Sequence, residues 1–163
     1  MTEIADIKTL LQPIAASIKP LGFKKIGNRK WYRLNEETEQ LVLLSRYRFE
    51  PKHHLYLLGN ILRLRRTQAM DNSGFSMSSF MEALMPDRSR IKKALDQESD
   101  LSPAERADIF HALFSEYVNP LIERTATEQG AISCYMEFKS VDKFGIFGDT
   151  MRALHLAPQE RGW

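Results

Sequence analysis

The spacing of apolar residues changes period along the chain, and each change marks an element. Ile4, Ile7, Leu10, Leu11, Ile14, Ile18 and Leu21 recur at three- and four-residue steps, which sets them on one stripe of a helix. Thr2 suits the N-cap. Pro13 falls inside the pattern, so this helix must kink there or start late. Pro20 and Gly22 end it, because proline restricts the residue before it and glycine suits the exit. Alternation then replaces the helical period. Lys30-Trp31-Tyr32-Arg33-Leu34 reads as a strand, with Gly27-Asn28 as a turn or bulge ahead of it. Residues 41–49 and 55–64 read as two more strands, separated by the polar turns Asn35-Glu36-Glu37 and Glu50-Pro51-Lys52. Short connections between consecutive strands predict an antiparallel meander.

Residues 67–80, TQAMDNSGFSMSSF, are polar and Ser-rich and read as a long mobile loop. From about residue 79 the pattern is helical. Ser102-Pro103-Ala104-Glu105 is a start signal: a capping serine, proline at the first helical position and glutamate at the third. Ile109, Phe110, Leu113, Phe114, Tyr117 and Val118 form the apolar face that follows, and Asn119-Pro120 should break or kink the helix. Ile132, Tyr135 and Met136 predict a further helix, and residues 147–156 a last one. The fold class is therefore α+β, in a single domain: an antiparallel sheet of at least three strands in a meander, an N-terminal helix and several C-terminal helices.

The pleat makes a sharper prediction. In Ser45-Arg46-Tyr47-Arg48-Phe49, the two arginines point one way and the two rings the other. Burying Tyr47, Phe49, Leu43 and Leu41 under helices leaves Arg46 and Arg48 facing water, as on the open face of a one-sided sheet. Trp31 shares a face with Arg33, and Lys30 with Tyr32. The third strand is apolar on both sides for most of its length, which predicts a central strand covered on both faces.

Composition adds the class. At 163 residues, with 43% hydrophobic and 27% charged, the chain can bury a core of its own. No apolar run approaches the roughly 20 residues that cross a bilayer. The acidic N-terminus does not resemble a signal peptide. The single cysteine, Cys134 in AISCYMEF, cannot close an internal disulfide and reads as a buried hydrophobe with no basic neighbour. These features predict a cytoplasmic protein without a membrane partner. The net charge of +2 hides an asymmetry: residues 1–66 hold 13 Lys and Arg against 6 Asp and Glu, and residues 67–163 hold 10 against 15. The chain thus divides into a basic helix-plus-sheet half and an acidic helical half, a distribution that steers an anionic partner.

Little chemistry follows. One Cys and four His, at 53, 54, 111 and 155, do not make a metal site, and an extended His53-His54 would point its rings to opposite faces. Phosphate-loop, dinucleotide and nucleophile-elbow motifs are missing from the sequence, and Asp96, Glu98 and Asp100 read as a solvated face. No catalytic grouping, cofactor or metal is implied. The candidate binding residues are the cations Lys24, Lys25, Arg29, Arg33, Arg46, Arg48, Arg63, Arg65 and Arg66. They suit a non-enzymatic binding protein whose protein partner is acidic or charge-complementary. Nucleic acid bound by a basic sheet face is the alternative, and an enzyme of unrecognised type the third. The oligomeric state stays open.

Leu21-Gly22-Phe23, Lys24-Lys25, Gly27, Trp31 and Arg33, followed by Arg46-Tyr47-Arg48-Phe49 and Leu57-Leu58-Gly59, resemble a bacterial domain-of-unknown-function family of small cytosolic proteins. The likeness covers about residues 7–60. It implies the fold and no reaction. Small proteins of this general type also occur as immunity partners of secreted bacterial toxins, so the resemblance implies an immunity-type inhibitor as one form of the binding protein.

Overall fold

In the computed structural model, the described residues are 4–46, 54–65, 77–80, 86–138 and 145–146. The first helix, α1 (Lys8–Ile18), starts after the first residues of the stripe, but Pro13 still lies inside it, so the late start does not relieve the proline. Asp6 opens it: its carboxylate accepts from the Lys8 amide at 2.9 Å. Thr2, the expected cap, lies outside the described residues. Leu10, Ile14 and Ile18 are fully buried, so the stripe read from the sequence is the face that packs. A short 3-10 turn, Lys19–Leu21, carries the chain out, and Gly22 closes it at φ 91°. That left-handed conformation favours glycine, which has no Cβ to clash.

The passage from helix to sheet contains a strand that alternation did not reveal. β1 (Lys24–Gly27) pairs with β2 (Lys30–Leu34), with an irregularity between Lys25 and Gly27. The lysines, the glycine and Asn28-Arg29 thus build a hairpin. β3 (Thr38–Arg46) and β4 (Tyr56–Leu64) continue the meander. β5 (Met77–Phe80) pairs antiparallel with β4, which corrects the reading of 77–80 as loop or helix start. β6 (Gly145–Ile146) adds to β5, and the sheet runs in the order β1-β2-β3-β4-β5-β6. An α+β architecture with an antiparallel meander is what the pattern predicts.

Helices α2 (Arg88–Leu95), α3 (Pro103–Leu113), α4 (Asn119–Arg124) and α5 (Glu128–Phe138) follow. The capping box of α3 is complete: Ser102 Oγ accepts from the Glu105 amide, and the Glu105 carboxylate from the Ser102 amide at 2.7 Å. A widened π-type turn, Phe114–Val118, separates α3 from α4. Pro120 lies in the first turn of α4, but the backbone stays helical through Val118 and Asn119, so the expected break at Asn119-Pro120 is not there and the ladder widens into a π-type turn just before the proline instead. One core joins both halves of the sequence: Leu10, Trp31, Val42 and Leu58 meet Ile91, Phe110, Phe114 and Ile122.

The helices cover one face of the sheet. On β3, Thr38, Gln40, Val42 and Leu44 are buried, and Glu39, Leu41, Leu43 and Ser45 are half-buried. This corrects the expected orientation, in which Leu41 and Leu43 lay under the helices. The register places Trp31, Arg33, Leu62, Asn60 and Leu58 on the covered face, and Tyr32, Lys30, Arg63 and Ile61 on the open one. β4 is central, but Leu57, Ile61 and Arg63 are only half-buried, so its second face is less covered than expected. Tyr47, Arg48 and Phe49 lie outside the described residues, as does the helix expected at 147–156.

The covered face owes its orientation to polar bonds. Thr38 Oγ1 donates to the carbonyl of Ala126 at 2.9 Å, and Gln40 Nε2 to the carbonyl of Ile122 at 2.8 Å and Thr125 Oγ1 at 3.0 Å. Asn35 Nδ2 reaches Gln40 Oε1 at 2.9 Å. These buried groups end the carbonyl ladder of α4, whose last turn would otherwise be unsatisfied.

Candidate functional site

A groove of about 660 Å³ lies between α1 and the β1–β2 hairpin. Its floor is aromatic: Trp31 on β2 and Tyr56 at the start of β4 are buried, yet both line the groove. Lys8 and Gln12 rise from α1, one helical turn apart on the same side. Lys25, Asn28 and Arg29 come from β1 and the hairpin turn. The Arg29 guanidinium lies over the Tyr56 ring, 5.6 Å from its centroid, which fixes its charge against the floor. The Arg29 carbonyl also accepts from the Leu44 amide at 2.9 Å, tying the turn to the sheet.

Lys8, Lys25 and Arg29 make no ion pair among the described residues. Three cations around one concavity with low-dielectric walls sum their fields, and they attract an anion more strongly than the same charges spread over a convex surface. Asn28 and Gln12 add side-chain amides able to donate or accept. Among the described residues no cluster of His, Cys, Asp or Glu could hold a metal.

Among the described residues, the other sequence-selected cations do not gather on one sheet face. Arg33 points to the covered side, ion-paired with Glu123 at 2.9 Å and lying over the Phe23 ring at 5.9 Å. Arg63 stands across from Glu39 on the open face, 3.4 Å away. Arg65 donates to the backbone carbonyls of Asn35 and Glu36, locking the β2–β3 turn. Lys24 falls opposite Tyr32 on the open face. Arg46 pairs across from Tyr56, on the parity of the covered face, and is exposed. It shares a second depression, on the other side of the hairpin turn, with Lys30 and Leu43. Arg48 and Arg66 lie outside the described residues.

Two of the candidate cations, Lys25 and Arg29, therefore meet in the groove, and the third, Lys8, was missed. Its signal was present: Lys8 and Gln12 flank the apolar stripe of α1 at a four-residue step. What the sequence could not supply was the hairpin that faces them. Cys134 is fully buried, and burial pushes its thiol up, outweighing the opposing pull of the Arg124 guanidinium nearby. The expected absence of a basic neighbour is corrected, while the burial is as read. His111 Nδ1 lies 3.4 Å from Ser17 Oγ, but that hydroxyl donates to the Pro13 carbonyl at 2.8 Å, so the pair lacks the proton arrangement of a nucleophile and base.

No protein-family model matches the chain, and no curated protein or solved structure matches it significantly. Among the described residues no helix is long and apolar enough to cross a membrane.

Proposed function

We propose that this chain is a binding protein without turnover of its own, which takes an acidic segment of a protein partner into the groove between α1 and the first hairpin. The observation that carries the reading is the convergence of Lys8, Lys25 and Arg29, without anionic partners among the described residues, over a floor of Trp31 and Tyr56. Carboxylates fit the rim, and an apolar residue between them fits the floor. Buried aromatics ringed by polar groups are the usual anchor points of a protein interface. An immunity-type inhibitor, which works by occupying a toxin's surface, is the specific form that the resemblance of residues 7–60 suggests.

Single-stranded nucleic acid needs rings free to stack, and Trp31 and Tyr56 are 3% and 7% exposed. An acidic polypeptide needs only charge and a shallow apolar contact. The test is a calorimetric titration with candidate secreted-toxin domains, with RNA and DNA of mixed sequence as the competing arm. One acidic domain should bind stoichiometrically, and the Lys8→Gln/Lys25→Gln/Arg29→Gln variant should bind it at least about tenfold more weakly. Tighter binding of nucleic acid, or catalytic turnover of an added substrate, would reverse the reading.

A further inference from the structure

The face of the sheet that the helices leave open is largely apolar. The register lays it out in rows: Leu34 in line with Glu39 and Arg63, then Tyr32 with Leu41 and Ile61, then Lys30 with Leu43 and Gly59, and last Ser45 with Leu57. Ile26 of β1 stands beside Tyr32, Leu41 and Ile61, where four strands leave a hollow of about 220 Å³. None of these apolar side chains joins the core beneath the helices. Ile26 and Leu34 are 58% and 57% exposed, and among the described residues Ile4 alone is a comparably exposed large hydrophobe. The water-facing side of a one-sided antiparallel sheet is normally polar. An apolar floor flanked by two exposed branched side chains is instead the mark of an interaction surface.

Size, shape and charge together select a second copy of this chain as the occupant. β3 and β4 are nine residues each. Four strands about 4.8 Å apart, rising about 3.4 Å per residue, make a face of about 20 Å by 30 Å, so two copies packed together remove about 1,200 Å², enough for a stable interface. A two-fold contact must carry knob and hollow on the same patch, and here Ile26 and Leu34 project beside the hollow. The polar groups amid the apolar ones answer each other within the chain. Tyr32 donates to Glu39 Oε1 at 2.6 Å, and Arg63 pairs with Oε2 at 3.4 Å, so no charge there is left alone when water is excluded. Lys24 and Lys30 lie toward the β1 side, where long stems keep their ammonium groups in water. Association along the β1 edge is disfavoured, because that strand is four residues long, carries two lysines and is irregular. We infer that two copies pack their open sheet faces together as a symmetric dimer. Lys25 falls opposite Trp31, on the covered side, so the groove stays free and the inference does not depend on what the groove binds.

Sedimentation velocity of the full chain across a dilution series reads the association. The parent should sediment as a dimer at high concentration, with a dissociation constant of about micromolar order. The Ile26→Glu/Leu34→Glu variant changes two exposed positions, which folding tolerates, and sets like charges against each other across the two-fold. Its dissociation constant should rise at least about a hundredfold, with circular dichroism and low-concentration melting unchanged. Methyl resonances of Leu41 and Ile61 should move on dilution in the parent and stay fixed in the variant. A parent that remains monomeric at about 200 µM, well above that constant, would overturn the proposal and give the face to another occupant. A dimer that persists in the folded double glutamate variant, or dilution shifts that spare Leu41 and Ile61, would overturn it equally.

Discussion

Arg106 is the residue on which the helical layer turns. It sits on α3, is 0% exposed, and sends Nη1 to the backbone carbonyls of Lys93, Ala94 and Asp96 and Nη2 to Ser99 Oγ. A guanidinium thereby caps the last turn of α2, where carbonyls lack intrahelical donors and the helix dipole favours a cation. Burial lowers its pKa, and the Asp96 carboxylate offsets that only in part. Arg106→Met should cost about 3 kcal/mol, because it removes several charged hydrogen bonds and leaves the carbonyls dry. Urea denaturation measures it, and a loss under 1 kcal/mol would mean that water replaces the side chain. Nothing in the sequence neighbours of Arg106 announces its burial.

Tyr32 gives a pH signature at the same scale. Burial and its bond to the Glu39 carboxylate push its phenol above 10.0, with Arg63 and Arg65 pulling weakly the other way. A folded-state pKa raised above the unfolded one contributes stability that is whole below pH 10 and fades as pH climbs through the folded value. The alkaline limb of the stability profile should therefore be shallower in Tyr32→Phe than in the parent, as thermal melts between neutral pH and about pH 11 would record. Identical limbs would place the phenol in water.

Among the elements, those with purely local causes were legible. The α1 stripe, the Pro20–Gly22 exit and the capping box at Ser102 all follow from backbone rules that tertiary context does not alter. Which face of β3 is buried was not legible, and the reason is physical. Residues 38, 40, 42 and 44 read Thr-Gln-Val-Leu, and residues 39, 41, 43 and 45 read Glu-Leu-Leu-Ser, so hydropathy favours neither set clearly. The polar members of the first set are buried because the end of α4 supplies their partners, 82 to 88 residues away in sequence. β1 was hidden because its bulge after Lys25 breaks the alternation, and β5 because four residues of Met-Ser-Ser-Phe carry little strand preference. The face assignment is testable: Gln40→Ala should destabilise by about 2 kcal/mol by taking the buried donor from the Ile122 carbonyl and the Thr125 hydroxyl. Leu41→Ala, on the half-covered face, should cost less than a fully buried leucine, about 1 kcal/mol. The reverse order in denaturant melts would turn the strand over.

At the scale of the molecule, the charge asymmetry visible in the sequence does not become a basic sheet face among the described residues. Acidic residues of the second half reach across: Glu123 takes Arg33. Within the first half, Glu39 takes Arg63, and turn carbonyls take Arg65. What is left over concentrates around one hairpin and the helix beside it. The asymmetry thus points to the half that holds the proposed groove but not to the surface, because ion pairing between distant segments decides which cations keep their reach. The central claim is that the groove of Lys8, Lys25 and Arg29 is the docking surface. Chemical-shift mapping of the labelled protein, titrated with an acidic peptide that carries one central apolar residue, tests it most directly. The account predicts shifts at Lys25, Asn28, Arg29 and the Trp31 indole that vanish at high salt and in the triple glutamine variant. Shifts centred instead on Lys30, Arg46 and Arg63, or an unchanged spectrum at low salt, would contradict it.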